Sequence, residues 1–272
     1  MLIDTHCHLD MIIQADTSTL PTTTDIEKIT QITHEAAKHD VKQVITIAID
    51  KNSSIYNSTI VHSLPNVYAT LGIHPCDCTK SWYDDFKHIE QLVKKAENPQ
   101  KIVGIGETGL DMHHPGYNKQ RQIDSFKAHI ELAIETNLPL VVHSRKALEE
   151  TLRVLDEYRN QKLHGVIHCF SENFSLAKDI HAMGFMTGIG GPATYPKNDG
   201  LRQLLRENKL DNCILETDAP FLPPQIIRGQ RNHPLHVHTI AERLAQELNQ
   251  NLEWVAQKTS DNARSLFQIP PA

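Results

Sequence analysis

A regular alternation constrains this chain more than any other feature. Eight short apolar runs are separated by longer amphipathic stretches: 2–6 (LIDTH), 44–49 (VITIAI), 67–73 (VYATLGI), 101–107 (KIVGIGE), 138–143 (LPLVVH), 165–169 (GVIHC), 184–190 (GFMTGIG) and 212–218 (NCILETD). Most lack polar alternation, the pattern of strands covered on both faces. The intervening stretches carry helical periodicity. In 120–136, Ile123, Phe126, Ile130 and Ala133 recur at three- and four-residue steps, and Pro139 after Asn137 stops the helix. Similar patterns cover 25–39, 84–96, 147–160, 173–183, 199–208 and 235–249. Eight strand–helix alternations favour a closed (β/α)8 TIM barrel over an open sheet. The whole chain, 1–272, reads as one such domain. A last helix over 252–267 is expected to pack outside the ring.

Composition narrows the class. With 39% hydrophobic residues a sizeable core is within reach. No apolar run approaches the ~18 residues of a membrane span, so no membrane association is expected. MLIDTHCHLD does not read as a signal peptide. Five scattered cysteines suggest a reducing, cytoplasmic setting rather than a disulfide framework. The formal charge of −6 argues against a broad basic surface, although bound cations can supply positive charge locally. Nothing points to an obligate protein partner. The unusual count is 17 histidines.

Their positions carry the chemistry. His6 and His8 end the first run two residues apart, so both project from one side of a strand. Glu107 ends the fourth run, His143 the fifth and His168 the sixth, while Glu216 and Asp218 end the eighth. In a barrel these C-terminal strand ends meet at one rim, where active sites sit. Packing does not account for imidazoles and carboxylates at five strand ends. They suit Mg²⁺, Mn²⁺ or Zn²⁺, and four histidines with two carboxylates are enough for two ions with a bridging Glu. Such a pair lowers the pKa of a water and clamps the oxygens of a displacement. An aspartate at a strand end can ligate one ion and accept the water's proton.

These residues resemble the TatD family of metal-dependent hydrolases, within the amidohydrolase-like barrels. The similarity spans nearly the whole chain through IDTHCHLD (3–10), GIHP (72–75), GIGETGLD (104–111), LPLVVHSRKA (138–147), IHCFS (167–171), ETDAPFL (216–222), RGQRNHP (228–234) and SDNARSLF (260–267). The resemblance implies that His6, His8 and Asp218 hold one ion, that Glu107 bridges, and that His143 and His168 hold the second. It places Glu216 beside the site, as a supporting or catalytic carboxylate. It sets His74 toward a substrate phosphate, with Arg145, Arg231 and Asn232 as weaker candidates. It implies a hydrolase of DNA phosphodiesters, often a 3′→5′ exonuclease on single strands. Amide or ester hydrolysis of a small molecule with the same ions is the nearest alternative, and a non-catalytic binding protein on the same fold is a further one.

The chain departs from the family at Met112, His113 and His114 after GLD, at His129, at His233 and at Gly190-Gly191-Pro192. Histidines 34, 39, 62, 88, 129, 164 and 181 read as solvated or packing residues, and His236 and His238 as outer groups. Cys7 reads as a small core residue, and Cys76-x-Cys78 lacks the second pair that a zinc knuckle needs.

Overall fold

The computed structural model describes residues 1–172 and 174–272. Eight parallel strands form one sheet in sequence order: β1 (Leu2–Cys7), β2 (Val41–Ile47), β3 (Val67–Leu71), β4 (Ile102–Asp111), β5 (Leu140–Arg145), β6 (Gly165–Ile167), β7 (Phe185–Ile189) and β8 (Cys213–Leu215). The helices are α1 (Leu9–Ile13), α2 (Thr23–Lys38), α3 (Lys51–Ile60), α4 (Trp82–Lys94), α5 (Lys119–Thr136), α6 (Leu148–Asp156), α7 (Phe174–Ala182), α8 (Asp199–Asn208), α9 (Val237–Leu248) and α10 (Leu252–Phe267). This is the (β/α)8 barrel that the alternation predicts. Among the described residues no helix is long and apolar enough to cross a membrane.

The barrel interior is filled by Ile3, Ile45, Val103, Val141, Val166 and Ile214, one inward residue from each of six strands. Each is at most 4% exposed and contributes roughly 1.5–3 kcal/mol through burial. Leu266, Phe267 and Ile269 join this cluster, so α10 does more than pack outside the ring: its end closes the interior. A second apolar layer lies between the strands and the helices.

The seam between β8 and β1 is built differently from the other strand junctions. The Thr5 hydroxyl donates to the Leu215 carbonyl at 2.8 Å. Asp4 accepts from the backbone and hydroxyl of Thr217 at 2.9 and 2.6 Å. Just beyond β8, Asp218 N–H donates to His6 O (2.8 Å), and His8 N–H donates to Ala219 O (2.7 Å).

Sequence and structure differ at several elements. α3 escapes the periodicity reading because KNSSIYNSTI turns Ser53, Ser54 and Asn57 inward, so polarity does not mark its outer face. Its start is set instead by a capping box between Asp50 and Ser53. β4 runs on to Asp111, past the expected end at Glu107. β6 and β8 are shorter than expected, so His168, Glu216 and Asp218 stand on the segments that leave the strands.

Candidate metal centre

The site sits where the seam meets the rim. β1 carries His6 into it near its C-terminal end, His8 follows just beyond the strand, and the backbone bonds across the seam fix Asp218 opposite them. The Asp218 backbone has φ 57°, a left-handed conformation that Asp tolerates better than most residues. Its Oδ1 lies 3.4 Å from His8 Nε2 and 3.6 Å from His6 Nε2. The other nitrogen of His8, Nδ1, lies 3.0 Å from the Ile47 carbonyl. A bond there leaves the Nε2 lone pair facing the pit.

Glu107 stands at the centre, 3% exposed. Its Oε2 faces His6 Nε2 at 3.3 Å and His8 Nε2 at 4.0 Å. Its Oε1 faces His143 Nδ1 and His168 Nε2, both at 2.8 Å. These two nitrogens are 3.4 Å apart. One carboxylate thus turns each oxygen toward a different group of ligands.

The geometry fits divalent ions. Ligand atoms bonded at about 2.0–2.2 Å to one ion lie roughly 3–3.5 Å apart, close to the separations here. Both ring nitrogens of His6 and Nδ1 of His168 are buried without a hydrogen-bond partner among the described residues. A cation satisfies such orphaned lone pairs where His6 Nε2 faces the two carboxylates. The residues His6, His8 and Asp218 form one candidate ligand group, His6, Glu107 and His168 a second, and His74, Glu107 and His143 a third.

The protein's own charges compensate within the pit. Burial pushes the Glu107 carboxyl up, but His168, His74 and His6 and the His143 bond hold it well below the carboxylate range. Burial works against protonation of His8, yet Asp218 and Glu107 raise it to about 9. His74, whose dominant influence is burial, is pushed down to about 3.

Two glycines make the packing possible. Gly109 has φ 137°, and a Cβ there would lie 2.1 Å from the His143 carbonyl oxygen. A Cβ at Gly188 would meet Glu216 Oε2 at 2.2 Å. Glu216 lies against this glycine, 1% exposed, and accepts from Cys169 N–H at 2.5 Å. Its Oε1 is 3.6 Å from His168 Nδ1, which places it behind the ligands.

The remaining expected residues divide. His74 lies deeper than a substrate contact requires: its Nε2 is 3.2 Å from His143 Nδ1 and 3.7 Å from Glu107 Oε1, within ligand reach. Arg145 ends β5 with an exposed side chain at the mouth. Arg231, also exposed, donates to the Met11 carbonyl at 2.8 Å. Asn232 is not at the rim surface. It is 2% exposed, and its amide donates to the Thr217 and Phe221 carbonyls at 2.8 Å while its oxygen accepts from His233 N–H. That removes it as a phosphate contact and makes it a strut for the loop that carries Asp218.

Sequence reasoning missed Asp111. Its Oδ2 is 3.1 Å from Nε2 of His143, the nitrogen opposite the one that faces Glu107. Its Oδ1 accepts from the backbone N–H groups of His113 and His114. The available signal was its period-two spacing from Glu107, masked because β4 was expected to end at that residue.

Residues 3–268 match the sequence family described as TatD related DNase. The chain belongs to the TatD family. This TatD-family chain is 34% identical over 268 residues to the uncharacterized metal-dependent hydrolase YcfH of Escherichia coli strain K12, covering 98% of this chain and 96% of that one. It is 32% identical over 269 residues to the uncharacterized metal-dependent hydrolase YabD of Bacillus subtilis strain 168, covering 99% and 100%. The crystal structure of YJJV, a TatD homolog from Escherichia coli K12, superposes with a TM-score of 0.87 at 27% identity, covering 99% and 98%.

Proposed function

We propose that this TatD-family barrel hydrolyses phosphodiester bonds of DNA, shortening single-stranded ends stepwise from the 3′ terminus. The coarser part, a metal-dependent hydrolase, rests on membership of the family and on the His, Glu and Asp groups gathered at the rim. The observation that carries the reading further is the division of Glu107, with Oε2 toward His6 and Oε1 toward His143 and His168. It supports two ions, one held by His6, His8 and Asp218 and one by His143 and His168, with Glu107 between them. Divalent ions of the Mg²⁺, Mn²⁺ or Zn²⁺ class would neutralise phosphate oxygens there and make a water acidic enough to attack.

The chain's own residues do the rest. Asp218 is the proton acceptor: it is held in place by the His6 carbonyl and kept ionised, because His8, His6 and His168 overcome the effect of its burial. Glu216 fixes the loop after β6 by accepting from Cys169 N–H, and so sets the His168 ring. Arg145 offers a cationic side chain at the mouth for the phosphate next to the scissile one. The rim is a concave pit, so a free end enters without the few kcal/mol needed to unpair and unstack a duplex interior.

End-labelled single strands, linear duplexes and closed single-stranded circles, each incubated with metal after chelator stripping, test this reading. Stepwise products from the 3′ end of single strands are expected. Rapid cleavage of closed circles refutes end-dependence. The net charge of −6 favours one second reading, hydrolysis of a small ester or amide at the same centre. Inert DNA together with turnover of an ester or amide panel would establish it.

A further inference from the structure

Beside the centre, outside the six proposed ligands, three side chains of different chemistry converge. Cys76 follows the β3 exit, Asp111 ends β4, and His114 lies on the turn after it. Cys76 Sγ is 3.3 Å from His114 Nδ1, and that nitrogen is 2.9 Å from Asp111 Oδ2. The three candidate ligand atoms all lie within 4.8 Å of one another. Cys76 and His114 are exposed, so the cluster opens to solvent, while Asp111 is fully buried beneath them.

The cluster is held before any ligand arrives. Cys76 N–H donates to His74 Nδ1 at 3.1 Å, which anchors the cysteine to the rim. Asp111 Oδ1 accepts from the backbone N–H groups of His113 and His114 at 2.8 and 3.1 Å, which anchors the turn. Separations of 3.3 and 2.9 Å are near the roughly 3–3.7 Å between ligands of one tetrahedral ion with thiolate, imidazole and carboxylate bonds.

We infer that Cys76, Asp111 and His114 form an additional divalent-cation site, distinct from the central ligands and selective for a thiophilic ion of the Zn²⁺ class. His114 binds the ion through the Nδ1 lone pair, with the ring proton on Nε2, and the Cys76 thiol proton leaves to solvent. The fourth position faces the mouth and takes water. Sulfur sets the preference: Mg²⁺ takes hard oxygen ligands and gains little from a thiolate, whereas Zn²⁺, Co²⁺ and Cd²⁺ bind it well. Asp111 Oδ2 also receives His143 Nε2. The added site therefore touches the central one through a single oxygen, and the inference does not depend on what the barrel hydrolyses.

Cobalt titration of the stripped full-length protein tests it. None of the six central ligands is a sulfur, so a thiolate-to-cobalt charge-transfer band reports a cysteine ligand. Cys169 neighbours His168 and needs its own control. The band is expected in the wild type and in Cys169→Ser, and absent in Cys76→Ser. Elemental analysis should give one cobalt fewer per chain in Cys76→Ser, and His114→Ala should weaken the band's apparent affinity at least tenfold. Cys76 and His114 are exposed, so circular dichroism should show both variants folded. Absence of the band at saturating cobalt, or its survival in Cys76→Ser, overturns the site.

Discussion

Asp111 Oδ2 lies 3.1 Å from His143 Nε2 and so holds the ring that presents Nδ1 to Glu107 at 2.8 Å. A carboxylate behind a ligating imidazole fixes its tautomer and raises its basicity. Asp111→Asn should therefore weaken metal binding at the His143–His168 side by about 10–100-fold. Isothermal titration with Mn²⁺, which has little appetite for the Cys76 thiol, would resolve this from the added site. The phase that His6→Ala removes should stay nearly constant. Affinities unchanged from the wild type in both phases would show that His143 needs no support.

Asp218→Asn keeps the shape of the side chain and the backbone bond to His6 but removes the base and one charged ligand. Turnover should fall by about 10²–10⁴-fold, with circular dichroism unchanged. Glu216→Gln should be milder, because an amide oxygen can still accept from Cys169 N–H. A loss with Glu216→Gln as large as with Asp218→Asn would transfer the proton-accepting role to Glu216.

Gly188 is the room in which Glu216 stands, a Cβ there falling 2.2 Å from Oε2. Gly188→Ala should cost about 1–3 kcal/mol in urea unfolding. The same change on a Glu216→Ala background should cost clearly less, since the clash is then gone. Additive costs in the double-mutant cycle would dissociate the two residues.

His129 gives a pH dependence. Burial lowers it to about 4 from 6.5 in the folded chain; Nδ1 is 2.7 Å from the Ser125 carbonyl, and Nε2 accepts from Ile73 N–H at 3.1 Å. The Phe86 ring covers it at 4.9 Å. The unfolded chain takes up the proton first as pH falls. Its contribution to stability is therefore complete above pH 6.5 and declines toward pH 4, by about 3 kcal/mol in all. Chemical denaturation of the metal-free protein across that window should show the decline, and His129→Gln should flatten it. A slope unchanged by His129→Gln would assign the decline to other groups.

The barrel is legible in the sequence because its strands are buried on both faces and read as plain apolar runs. The candidate ligands are legible because a metal centre draws on His, Glu and Asp at strand ends, where barrel geometry gathers them. α3 is hidden because inward Ser53, Ser54 and Asn57 carry no apolar signal. Asn232 misleads because an amide in a polar loop motif reads the same whether it meets substrate or the backbone. His74 shows the limit of counting from strand ends: the motif places it at the rim, but only three-dimensional packing brings its Nε2 to 3.2 Å from His143. The Cys76–His114 contact joins residues 38 apart, which no local spacing announces.

The seam ties the candidate ligand group to closure of the ring. His6 and His8 stand at the exit of β1, whereas Asp218, the third member of that group, comes from the exit of β8. A barrel lacking that exit keeps only two of the three candidate ligands of the first ion. An ion bound there would act as a clasp across the junction of the first and last strands, and its binding energy would add to keeping the ring shut. An ion held by His6, His8 and Asp218 would thus report that β1 and the exit of β8 have met.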